Sequence, residues 1–239
     1  MCCPTRTLND AEPTAHDTPA LNDLGYFSEE LRQYIQKERQ HRDRANMRYA
    51  IANIPTDTRW GPTPVMANYL CVDHIPLRMS LVGLVKRMLF FTKDGEPVLR
   101  PCIGIEPCTT LDLTAAQRVL GTNAAPAYVH SNTTIYARKN MSSRKPGSTI
   151  FTANVFHDVF DNTKGAHMER ISAAAIMPGD IVHVEVKLLR QQEVGNYKNK
   201  IWDEWETAFE LSRIELVFAK PDNPPKMTTA LDAFRVPSP

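Results

Sequence analysis

From Ile181 onward, Val182, Val184, Val186 and Leu188 alternate with His183, Glu185, Lys187 and Leu189, and only Leu189 breaks the polar row. A period of two predicts a strand with one face buried and the other wet. The run after it places Trp205, Thr207, Phe209 and Leu211 on one parity and Ile214, Leu216 and Phe218 on the other. A single extra residue near Ser212-Arg213, a β-bulge, reconciles the two halves. Such bent strands suit a small barrel or a curved sheet. Pro178-Gly179-Asp180 is the turn that launches the first of the pair.

Earlier in the chain the pattern changes. Residues 1–24 are rich in Pro, Thr, Asp and Asn, show no apolar period, and read as a disordered leader. Ser28 is an N-cap candidate, with Glu29 and Glu30 at the positive end of a helix and Phe27, Leu31, Tyr34 and Ile35 on one face. The helix is predicted to run through a basic amphipathic stretch, 25–54, carrying Lys37, Arg39, Arg42, Arg44 and Arg48 against Glu38 and Asp43. That composition suits a stem lying on a phosphate backbone, and equally an exposed helix laced by local ion pairs.

Pro55, Gly61, Pro62 and Pro64 mark a connector in which Trp60 is a packing anchor. A β-rich domain is expected over 65–220. Val65–Val72 reads as a short strand, and Leu77–Phe91 with Pro97–Ile105 as a hairpin turning at Asp94-Gly95. Pro97 and Pro101 argue that the second of these is an edge or is interrupted, and Gly83 marks a bend or bulge. Leu113–Leu120 is a short helix stopped by Gly121, and Ala127–Ala137 another strand. Phe151, Val155, Phe156, Val159 and Phe160 are spaced as on a helix, while Thr149–Phe156 alone also fits a strand, which leaves Thr149 to Phe160 ambiguous. Residues 221–239 form a Pro-rich tail.

The expected fold class is mainly β, an OB-like barrel or a β-sandwich, with a long N-terminal helix and one or two short helices. Three strands, a helix and a final hairpin follow the order of an OB-fold, which binds single-stranded nucleic acid on its face and in its loops. Leu77–Val85 looks like the first strand of such barrels, and Pro178–Val182 is similar to the glycine-aspartate turn that opens a later one. The stretch 177–218 also resembles a group of uncharacterised mushroom proteins from transposon-rich genomes, a likeness that implies no activity.

Charge narrows the picture only locally. The 28 Lys and Arg against 27 Asp and Glu leave a net charge of +1, so affinity for a polyanion must come from clusters. The five cysteines are odd in number, lack CxxC spacing and follow no secretory segment, which points to reduced thiols in an intracellular protein, nuclear or cytoplasmic. Without an apolar run of membrane-spanning length, no membrane partner is expected.

Binding a single strand takes cations along a groove and aromatic faces on which bases stack. Two segments pair them. One is the hairpin loop with Arg190, Tyr197, Lys198, Lys200 and Trp202; the other is the loop with Arg138, Lys139, Arg144 and Lys145 beside Tyr136. Trp202 and Trp205 are equally suited to plugging a barrel end. Cys102 and Cys108, with His74, His130 and His157, show no ligand pair at standard zinc spacing, and His157, Asp158 and Asp161 do not make a facial triad. No GxGxxG, Walker loop or GxSxG occurs, so neither an enzyme nor a cofactor is expected. The leading expectation is a module for single-stranded DNA or RNA. The alternative is a structural or self-assembly protein whose terminal arms embrace copies of itself in a homo-oligomer.

Overall fold

A computed structural model describes residues 28–144, 146–147, 149–165, 168–192 and 203–221. The leader, the Pro-rich tail beyond Pro221, Lys145 and the hairpin loop 193–202 lie outside these residues.

Helix α1 spans Glu29–Arg39, opened by Ser28, whose hydroxyl accepts the Leu31 N–H at 3.3 Å. It is far shorter than the expected 25–54 helix. After Gln40 the chain turns back through strands β1 (Arg42–Asp43) and β2 (Arg48–Ala50). Asp43 decides this, because its carboxylate takes both the Asn46 N–H at 3.0 Å and the Asn46 side-chain amide at 2.6 Å. Local side-chain bonds of this kind compete with helix propagation.

A three-stranded sheet follows, made of β3 (Arg59–Trp60), β4 (Leu70–Val72) and β5 (Ile75–Pro76). Next come β6 (Arg78–Phe91), β7 (Pro97–Pro107), helix α2 (Thr110–Thr122) and β8 (Ile135–Arg138). A hairpin of β9 (Ser142–Arg144) and β10 (Phe151–Ala153) leads to β11 (Val159–Asp161) and β12 (Glu169–Arg170), and β13 (Ile181–Gln191) and β14 (Glu206–Phe218) complete the chain. The ambiguous stretch from Thr149 to Phe160 therefore holds strands.

Five strands pair in a cycle. β6 runs antiparallel to β7, β7 antiparallel to β8, β8 parallel to β14, β14 antiparallel to β13, and β13 antiparallel to β6. Inside lie Met79, Leu81, Val85, Ile103, Ile105, Ile135, Val182, Val184, Val186, Phe209, Leu211 and Ile214, all at most 3% exposed. Helix α2 adds Ala115, Ala116, Val119 and Leu120 to this cluster. It falls between β7 and β8, whereas β4, read as the first of three strands before it, belongs to the small sheet.

The parity switch in β14 has the expected cause. Glu185 faces Arg213 and Val186 faces Leu211, which leaves Ser212 as the extra residue. Elsewhere the glycines act differently from expectation. The β6 bulge falls at Lys86, while at Gly83 a Cβ would lie 2.8 Å from the Glu106 carbonyl oxygen of the neighbouring strand. Gly121 does not stop α2 but sits within it, where a Cβ would strike the Tyr128 carbonyl. Pro101 does coincide with an interruption, since β6–β7 pairing skips from Cys102 to Pro97.

The first half of the polar row of β13 is not wet. His183 and Glu185 are 2% and 8% exposed. Leu31 and Ile35 of α1 pack on Val82, Cys108 and Ile181, so the helix covers this part of the sheet's outer side. No helix among the described residues is long and apolar enough to cross a membrane.

Candidate nucleic-acid interface

With α1 on one part of the outer surface, the second half of β6, β7 and β8 remain open. Cross-strand register sets two rows of residues there. Arg87 faces Gly104, which faces Tyr136; Leu89 faces Cys102, which faces Arg138, which in turn faces Glu210 of β14. Alternation explains the outcome, because Ile135 and Ala137 point inward and are buried while Tyr136 and Arg138 are exposed.

Gly104 is the feature that shapes this face. A Cβ there would stand 2.7 Å from Cε1 of Tyr136 and 3.1 Å from the Thr134 methyl, so the tyrosine ring occupies the space above the strand. The ring is thereby held against backbone while 42% of the residue stays accessible. An aromatic surface fixed in this way suits a stacked base.

Charge surrounds it. Arg87 and Arg138 are exposed and neither has an ion-pair partner among the described residues. Both sit near Cys102: burial pushes that thiol up, and the two guanidinium groups oppose the shift. Two other cations nearby are engaged. Lys86 pairs with Glu106 at 2.9 Å and Lys139 with Glu210 at 3.1 Å. The strand beyond β8 continues beside β7, with the Lys139 N–H on the Pro101 carbonyl at 3.0 Å and the Met141 N–H on the Leu99 carbonyl at 2.9 Å. It leads into the β9–β10 hairpin, where the Arg144 guanidinium lies 5.7 Å from the ring centre of exposed Phe151.

No protein-family model and no curated protein matches this chain. Among solved structures it is similar to the crystal structure of gp2.5, a single-stranded DNA binding protein encoded by bacteriophage T7. That likeness covers 62% of this chain and 90% of the phage chain, at 12% identity and a TM-score of 0.36.

Of the residues singled out in the sequence, Tyr136 and Arg138 come together on the open face. Lys139 borders it in an ion pair, and Arg144 lies on the adjoining hairpin. Lys145, Tyr197, Lys198, Lys200 and Trp202 lie outside the described residues. Arg190 is elsewhere and only 8% exposed. Its guanidinium stands 4.9 Å from the Trp60 ring centre and 5.0 Å from that of Trp205, and its Nε donates to the Ala67 carbonyl at 2.9 Å. Trp205 Nε1 donates to the Asn123 carbonyl at the end of α2, so Trp60 is the packing anchor expected and Trp205 closes this end of the body.

Arg87 and Gly104 on the face, and Phe151 on the adjoining hairpin, are residues that sequence reasoning did not select. Arg87 lay unremarked inside a long strand. Gly104 carried the better signal, since an interior strand glycine often marks the close approach of another group.

Proposed function

We propose that this protein binds single-stranded nucleic acid on the outer face of β6, β7 and β8, and that its body is an OB-like barrel acting inside the cell. The cycle of five strand pairings supports the barrel, because a five-stranded Greek-key barrel has this connectivity. The exposed Tyr136 ring lying on Gly104 between Arg87 and Arg138 carries the functional reading. Stacking against such a ring requires a base with a free face, which single strands offer and duplexes do not. The two arginines supply phosphate contacts, which position a strand without selecting its sequence.

The test is fluorescence anisotropy with a labelled 20-nucleotide oligothymidylate across a salt series. Affinity should fall with salt along a slope of about 0.7 per phosphate contact. Absence of binding at low salt overturns the assignment.

A further inference from the structure

We propose a second anion site, a cleft between α1 and α2 that takes a chain of phosphates. The cleft encloses about 730 Å³. Three arginines reach it from three elements: Arg39 from α1, Arg42 from β1 and Arg118 from α2. The side-chain amides of Gln36, Gln40 and Asn53 line it too, and among the described residues no acid does. Arginine and amide donors around an open cleft match phosphate oxygens, which only accept hydrogen bonds.

The charge is built in. Arg39 lies 3.6 Å from Asp112, a carboxylate only 3% exposed and set behind the cleft, so this arginine is largely balanced. Arg42 has a neutral partner, the Asn53 amide oxygen at 3.0 Å, and Arg118 is exposed with no ion pair among the described residues. Asn53 holds the arrangement together: its Oδ1 accepts from Arg42, while its Nδ2 donates to the Arg39 carbonyl at 2.5 Å. That second bond also caps a carbonyl at the negative end of α1, which would otherwise repel an anion.

The cleft uses none of the residues of the Tyr136 face, and it deepens the proposed function by giving a bound strand a second stretch of backbone contacts. Inorganic polyphosphate, which has phosphates and no bases, separates the two sites. Arg42→Ala with Arg118→Ala should weaken polyphosphate binding roughly 3–10-fold and flatten the salt slope for the 20-nucleotide oligothymidylate by roughly 1.4, two contacts' worth. Tyr136→Ala should leave polyphosphate binding unchanged. Circular dichroism melts confirm that the variants fold, and Arg118→Ala alone, which breaks no ion pair, serves as the milder variant.

Polyphosphate binding that depends on the two arginines, in a protein that ignores the oligonucleotide, would retain the cleft and overturn the nucleic-acid assignment. Oligonucleotide binding that depends on Tyr136, with neither probe affected by loss of the arginines, would overturn the cleft and retain the face. A wild-type protein that binds neither probe overturns both.

Discussion

A Cβ on Gly104 would come within 2.7 Å of Tyr136 Cε1, so the tyrosine ring depends on the absence of a side chain across the strand pair. Any larger residue at 104 must lift the ring or push the strands apart. Gly104→Val should therefore reproduce the binding defect of Tyr136→Ala. For a single stacked base that defect is about 1–3 kcal/mol, or roughly 5–150-fold in Kd. Tyr136→Phe should bind like the wild type, because the face needed is the ring. Anisotropy titrations at one fixed salt concentration compare the three, and a Tyr136→Ala protein of unchanged affinity would remove this face from consideration.

Arg87 and Arg138 have a different expected signature. Each flanks the ring without an acidic partner among the described residues, so Arg87→Ala and Arg138→Ala should each flatten the salt slope by about 0.7 and weaken all sequences alike. Lys139→Ala should change the slope less, since its ammonium already pairs with Glu210. Equal slopes for Lys139 and Arg138 variants would show that the Glu210 pair opens on binding.

Arg190 should behave as a structural residue. Its guanidinium packs against both Trp60 and Trp205 and its Nε holds the Ala67 carbonyl, in a site where only 8% of the residue is exposed. Losing two cation–π contacts and a buried hydrogen bond should cost about 2–4 kcal/mol in Arg190→Ala. Arg190→Lys should recover little of it, because an ammonium cannot stack as a planar guanidinium does. Chemical denaturation gives the stability loss. Oligonucleotide affinity per folded molecule should not change, and a selective binding defect in a protein of normal stability would contradict this assignment.

How far the sequence could be read depended on whether a signal was local. The parity switch from Leu211 to Ile214 announced the bulge at Ser212, and Ser28 and Asp180 announced a helix start and a strand-launching turn, because each acts on its near neighbours. Asp43 and Asn46 were also local, yet a run of cations around them masked the turn that ends α1's path. The alternation of His183 and Glu185 gave the right strand and the wrong environment. A period of two distinguishes two faces but not what covers the polar one, and here the cover is a helix about 150 residues earlier in the chain. Tyr136 was legible as an aromatic among cations, whereas its setting on Gly104 required the register of β7 against β8.

Strand faces can be checked directly at Val184, which is fully buried and paired with Leu81 on one side and Ile214 on the other. Val184→Asp puts a carboxyl group among apolar side chains, at a cost comparable to the stability of an ordinary domain. The protein should be recovered unfolded or insoluble, as shown by loss of a cooperative melt. A normal melt would mean that the inner and outer faces of β13 are exchanged.

The covered polar row predicts an acid limit to stability. Tyr34 Oη lies 3.1 Å from His183 Nδ1, and the Glu215 carboxylate lies 3.5 Å from the same nitrogen, 2.8 Å from Arg213 Nε and 3.2 Å from the Asn162 amide. Burial alone would raise the Glu215 carboxyl, but His183, Arg213 and Arg48 together hold it below its ordinary value. A carboxyl depressed in the folded state binds fewer protons than it does unfolded, so its contribution is present above the unfolded value near 4.5 and is lost as pH falls through the folded one. Glu215→Gln should lower stability at pH 7 by about 1–3 kcal/mol, because His183 and Arg213 lose a charged partner. It should also flatten the fall in Tm below about pH 4.5, since the titrating group is gone. Tyr34 works at the other limit: burial, with Glu38 and Glu215 nearby, pushes its phenol well up, so the unfolded chain ionises first and stability drops once pH passes about 10. Tyr34→Phe should shrink that alkaline drop, to which Tyr69 and buried Cys108, both also pushed up by burial, contribute the rest, and leave the acid limb intact. Thermal melts of the two variants across pH 3–11 test both assignments, and identical acid limbs in Glu215→Gln and wild type would show that another carboxylate sets the limit.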